Sequence, residues 1–162
     1  MTIKREAAFH EAGHAVTAHR SRFHAIVGPI NLADYGSGQA YVSLSKRKLL
    51  AAGKSVSQAA AVDREVAIDL AVVLAAGLVA ERIAAGREAG LTPAPACAAP
   101  DHKLAAQILT GAGLPFDIAS HEESAGLLLE QEWGLVTALA EHLLRHVSLD
   151  PLDDIDFMDD HG

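Results

Sequence analysis

Positive charge is scarce in this chain: 13 Lys and Arg stand against 21 Asp and Glu, a formal net charge of −8 over 162 residues. With no basic stripe or cluster to neutralise phosphates, nucleic acid is excluded as the expected partner. Aromatic residues make up only 4% while hydrophobic residues make up 50%, much of that Ala and Leu. That balance argues against a β-sandwich and for packed helices. A single cysteine, Cys97, excludes an intramolecular disulfide and fits a reducing compartment. Long apolar runs are missing too. The longest charge-free apolar run on a helical stretch, Leu70 to Ala80, is bracketed by Asp69 and Glu81, and a bilayer needs roughly 20 residues. The first six residues, Met1 to Glu6, contain no apolar core of a secretory signal. A cytoplasmic protein with no membrane contact is expected.

The chain has the length of one domain, expected over residues 1–149, followed by an acidic tail over 150–162 with six Asp that reads as a solvated end. Ala8, Ala12, Ala15 and Val16 recur at helical spacing and predict a first helix over about 3–21. A small β element follows, with short apolar stretches at Ala25–Val27 and Ile30–Leu32 and a turn at Asp34–Gly38. Beyond it, Ala40, Val42 and Leu44 alternate with polar residues as in a half-buried strand. Residues 56–85 contain no Pro and only Gly77, predicting one long helix or two collinear ones. Pro93, Pro95 and Pro100 mark a loop from 86, and Pro100 can open a helix to about 109. A last helix over 120–147 aligns Leu129, Trp133, Val136, Ala140, Leu143 and Val147 in one packing stripe. The fold class is therefore mainly α with a small β element.

One pentapeptide carries chemistry. In Phe9-His10-Glu11-Ala12-Gly13-His14, His10 and His14 are four apart on a helix, so both imidazoles can face one ion, and Glu11 projects beside them. That is the H-E-x-x-H arrangement of zinc peptidases, in which the metal acidifies water and the glutamate takes its proton. His142 and His146 share the spacing, but no acid follows the first, and they read as polar-face histidines. A catalytic zinc needs three protein ligands. Thr17 and Arg20 occupy the positions where a metzincin would require Gly and His, and no Glu occurs between Glu11 and Glu65. Glu65, Glu81, Asp63, Asp69 and Asp101 remain as candidates, and spacing does not choose among them.

The stretch from Lys4 to Val16 resembles the metal-binding helix of the FtsH-type ATP-dependent metalloproteases, whose motif reads HEAGHA. Further segments are similar to that family's: Gly38 to Leu44 to its Gly-led strand, Ala76 to Arg82 to its G-G-R-x-A-E-E helix, and Ala99 to Ala105 to its S-x-D-x-x-x-A segment. Ala76, Leu78, Arg82 and Ala96-Cys97-Ala98 depart from the family pattern. The resemblance implies Asp101 as third zinc ligand, Glu11 as general base, and one Zn2+ per chain. It also places Glu81 beside the metal, as an acceptor for a ligand imidazole. Gly38, Gln39, Ala40, Tyr41 and Val42 would form an edge where an extended substrate pairs. No G-x-x-x-x-G-K-[ST] nucleotide loop or spanning segment occurs in the sequence, and with nine residues ahead of His10 neither is expected before it. The expectation is a zinc metalloendopeptidase, ATP-independent by itself, cutting peptide or unfolded-protein segments, alone or with a separate protein partner. Self-association through the last helix is open to it. The alternative is a catalytically retired module that keeps zinc and binds partners without cleavage.

Overall fold

The structure is a computed structural model describing residues 4–34, 41–59, 63–146, 148–149 and 151–161. Helix α1 (Arg5–Arg20) is buried from Ala7 to Ala18, as expected of a helix whose small residues let neighbours approach on every side. Helix α4 (Arg64–Arg87) runs beside it with a comparably buried span from Ala71 to Glu81. At their contact a side chain on Gly13 would stand 2.5 Å from Ala80 Cβ and 2.7 Å from the Ala76 carbonyl oxygen. Only glycine permits this approach. Two further helices close the core: α6 (Ile118–Gln131) packs on α4, and α7 (Trp133–Arg145) packs on α1. Phe9 stacks on Trp133 at 5.6 Å between centroids and fixes the α1–α7 contact.

The β elements are small. Strand β1 (His24–Ile26) pairs antiparallel with β3 (Val42–Leu44), His24 opposite Leu44. Strand β2 (Ile30–Asn31) pairs with β4 (Ser148–Leu149). Helix α5 (Ala99–Gly111) begins with Pro100 in its first turn, after a 3-10 turn at Pro95–Ala98. A mainly helical fold with a minor β element is what composition predicts.

Several boundaries differ from the sequence reading. The helix predicted over 56–85 starts at Arg64, because Asp63 caps it by accepting the Val66 N–H. The part before it holds the short α3 (Val56–Ala59), and α2 (Lys46–Ala51), opened by Ser45, is an element the alternation had not signalled. The helix predicted over 120–147 is broken at Glu132, so its halves pack on different partners. The acidic segment is not a solvated end. It folds as α8 (Pro151–His161), with Met158 fully buried and Phe157 stacked on His142 at 4.3 Å.

Candidate metal centre

Three helices meet at His10 and His14. Both lie on α1, 1% and 0% exposed, and Asp101 enters from the first turn of α5, 2% exposed. His14 Nε2 stands 3.0 Å from His10 Nε2 and 3.1 Å from Asp101 Oδ2, and His10 Nε2 stands 3.5 Å from the same oxygen. Tetrahedral N/O coordination at about 2.0–2.1 Å implies donor–donor edges of roughly 3.3–3.4 Å, which these three distances bracket. Among the described residues, this is the group of three that could hold a metal ion.

The outer faces of both rings are already engaged. His10 Nδ1–H donates to Glu81 Oε2 at 2.7 Å, and His14 Nδ1–H donates to the Val73 carbonyl at 2.7 Å. A carbonyl cannot donate, so the second bond fixes the tautomer of His14. The carboxylate does the same for His10. Two Nε2 lone pairs and a carboxylate oxygen therefore converge on one buried point, an arrangement that repels itself unless a cation occupies it. Asp101 Oδ1 adds a buried oxygen with no hydrogen-bond partner among the described residues. The protonation equilibria show the same demand for positive charge. Burial opposes a charged His10, yet the hydrogen bonds to Asp101 and Glu81 and the charges of Glu11 and Glu81 outweigh it, raising the ring to about 9. Burial likewise opposes a charged Asp101, yet its bonds to His10 and His14 hold the carboxyl far below the usual range. The donor set fits a bound divalent ion.

Helix α4 supplies what surrounds this point. Val73, Gly77 and Glu81 follow at intervals of four and share one face. The first and last hold the imidazoles, and the middle one leaves room for them. A Cβ on Gly77 would lie 2.6 Å from His10 Nε2 and closer still to His14 Nε2. Glu81 also accepts the Ala94 N–H at 3.1 Å, tying the loop before Asp101 to the same carboxylate. Arg82, the next residue on α4, pairs with Glu122.

Glu11 is 6% exposed, and its carboxylate Oε2 accepts a hydrogen bond from the Tyr41 hydroxyl. Tyr41 was read as a substrate-pairing position, and this bond was not anticipated. Val42 begins β3, paired opposite Ile26. Gly38, Gln39 and Ala40 lie outside the described residues. The other candidate ligands are engaged elsewhere: Asp69 accepts from His24 Nδ1 and the Arg22 and Phe23 N–H groups, Asp63 pairs with Lys54, and Glu65 pairs with Arg22 and Lys54. Cys97 is partly buried in the turn ahead of α5 and is not part of the cluster. The i, i+4, i+8 spacing of Val73, Gly77 and Glu81 was available in the sequence as a signal of the face that meets α1.

No family model matches the chain, and no curated protein matches it. The likeness to FtsH-type peptidases therefore rests on the motifs alone. No helix among the described residues is long and apolar enough to cross a membrane.

Proposed function

We propose that this chain is a zinc-dependent peptidase, ATP-independent by itself, that hydrolyses peptide bonds in peptide or unfolded-protein segments. The observation that supports it best is the convergence of His10 Nε2, His14 Nε2 and Asp101 Oδ2, with the general-base candidate Glu11 one residue from the first ligand. Two imidazoles and one carboxylate, leaving the fourth position of a tetrahedron open, form a donor set suited to catalytic rather than structural zinc. Bound there, the ion would polarise a peptide carbonyl and acidify water. Glu81 and the Val73 carbonyl orient the two imidazoles by holding their Nδ1 protons. Glu11 takes a proton from the attacking water and returns it to the leaving amine. Among the described residues β3 pairs only with β1, and its other edge offers backbone groups to an extended substrate. The FtsH-type resemblance of HEAGHA and of the Asp101 segment supports the same assignment.

A second reading has an observation of its own. All four key residues are no more than 6% exposed, which suits a retired module that keeps its metal and binds partners without cutting. One set of preparations separates the readings. The wild type is expected to hold about one zinc per chain and to cleave an unfolded substrate such as reduced casein. Glu11→Gln is expected to keep the zinc and lose turnover, and Asp101→Ala to lose zinc. Zinc retained by Asp101→Ala would overturn the ligand set. Hydrolysis unchanged in Glu11→Gln would overturn the catalytic assignment, and a zinc-loaded wild type that cuts nothing would favour the retired module.

A further inference from the structure

Tyr41 sits at the junction of Glu11 on α1 and the β1–β3 sheet. Its backbone carbonyl accepts the Val27 N–H at 2.7 Å and the Gly28 N–H at 3.3 Å, which pins the residue to the end of β1. The next residue, Val42, opens the edge strand β3. Its side chain runs inward, 6% exposed, and the hydroxyl donates to Glu11 Oε2. A carboxylate on a helix has broad freedom about its last torsion, and Glu11 needs one orientation to take a proton. The phenol is rigid; its backbone is held at the end of β1, and its hydroxyl also lies 3.5 Å from the Glu11 carbonyl oxygen. A donor of this kind holds Oε2 in place and leaves Oε1 as the oxygen to act as base.

We infer that Tyr41 is a positioning residue for Glu11: its hydroxyl fixes the orientation of the base and couples it to the edge strand that receives the substrate. The inference rests on the peptidase reading. Substrate pairing along β3 would then steady the strand, the phenol and the base together, so the hydroxyl contributes in the turnover step and not to substrate affinity.

The test compares the wild type, Tyr41→Phe, Glu11→Gln and the double variant as zinc-loaded protein. Tyr41→Phe keeps the ring and removes the hydroxyl alone. It is expected to lower kcat roughly tenfold or more with KM and zinc content unchanged, a split that a purely structural role would not produce. Two readouts do not depend on hydrolysis. Acetohydroxamate, a bidentate metal ligand whose proton passes to a nearby carboxylate, is expected to bind several-fold more weakly to Tyr41→Phe and to Glu11→Gln, with no further loss in the double variant. In the metal-free protein, the Tyr41 hydroxyl proton is expected as an exchange-protected NMR resonance, absent from Tyr41→Phe and shifted upfield in Glu11→Gln, whose neutral amide oxygen accepts a weaker bond. Unchanged kcat and unchanged acetohydroxamate affinity in Tyr41→Phe would overturn the inference, as would additive losses in the double variant. A wild type without hydrolysis but with the expected non-additive probe affinities would sink the peptidase reading while supporting the role of Tyr41.

Discussion

At the scale of single residues, the centre is defined as much by what Gly77 lacks as by what its neighbours carry. Replacing it with Ala improves helix propensity by about 1 kcal/mol, but the new methyl collides with both Nε2 atoms, and such overpacking costs about 1–3 kcal/mol. Gly77→Ala is therefore expected to stay folded by circular dichroism while zinc per chain falls well below that of the wild type; full stoichiometry would contradict the geometry. Protons compete for the same place. In the metal-free protein His10 is raised from an ordinary 6.5 to about 9, so near neutral pH it carries a proton that a bound ion must displace. Calorimetry in buffers of different ionisation enthalpy should show about one proton released per ion at pH 7 and progressively fewer above pH 9. A raised folded-state value also stabilises the metal-free fold fully below 6.5, and that contribution disappears as pH rises through 9. Asp101 has the opposite sign: its contribution is present above 3.8, its ordinary value, and is lost as pH falls through its depressed one. Metal-free protein should thus lose stability in alkali sooner than zinc-loaded protein.

Elements are placed by the α1–α4 contact. Gly13→Ala would push a methyl into the Ala76 carbonyl and the Ala80 methyl, and neither is the yielding end of a long side chain. The helices must separate, at an expected cost of about 1–3 kcal/mol or more, read as a lower urea midpoint with an unchanged slope; an unaltered midpoint would mean that the helices are not held this closely. Much of this arrangement was legible. The metal pair follows from 3.6-residue periodicity, and helices α1, α4 and α5 follow from composition and from Pro100. What escaped depends on contacts distant in sequence. The break at Glu132 falls in a stretch with no Pro, and the two halves part to pack on different helices, α6 on α4 and α7 on α1. Alternation sets Tyr41 on the polar face opposite Val42 and Leu44, yet its ring is buried at 6% exposure with the hydroxyl on Glu11, a contact 30 residues distant that no local pattern encodes. Spacing alone could not choose Asp101 over Asp69. The structure separates them, because Asp69 accepts from His24 and two backbone N–H groups while Asp101 faces the imidazoles.

The whole molecule is closed by the segment that charge alone would leave in solvent. Six Asp residues mask a weak apolar spacing in 150–162, and helix α8 uses it: Met158 is fully buried, and Phe157 lies between His142 and His161 at 4.3 and 4.1 Å. The β2–β4 pairing brings the chain back beside Ile30 before α8 begins. Among the described residues the ion pair here, His19 with Asp159 at 3.0 Å, is exposed on the acid side and contributes little, so burial of Met158 and Phe157 carries the attachment. Met158→Ala should then cost about 2–5 kcal/mol, a fall of several degrees in thermal midpoint for a domain of this size. Asp160→Asn, at an exposed position of the same helix, should change stability by less than about 0.5 kcal/mol. A solvated tail would make both substitutions silent, whereas a docked helix makes only the first one felt. The metal site lies on other elements, so zinc content should be the same in both variants, and a loss of zinc in Met158→Ala would show that α8 supports α1 more directly than its contacts with α7 indicate.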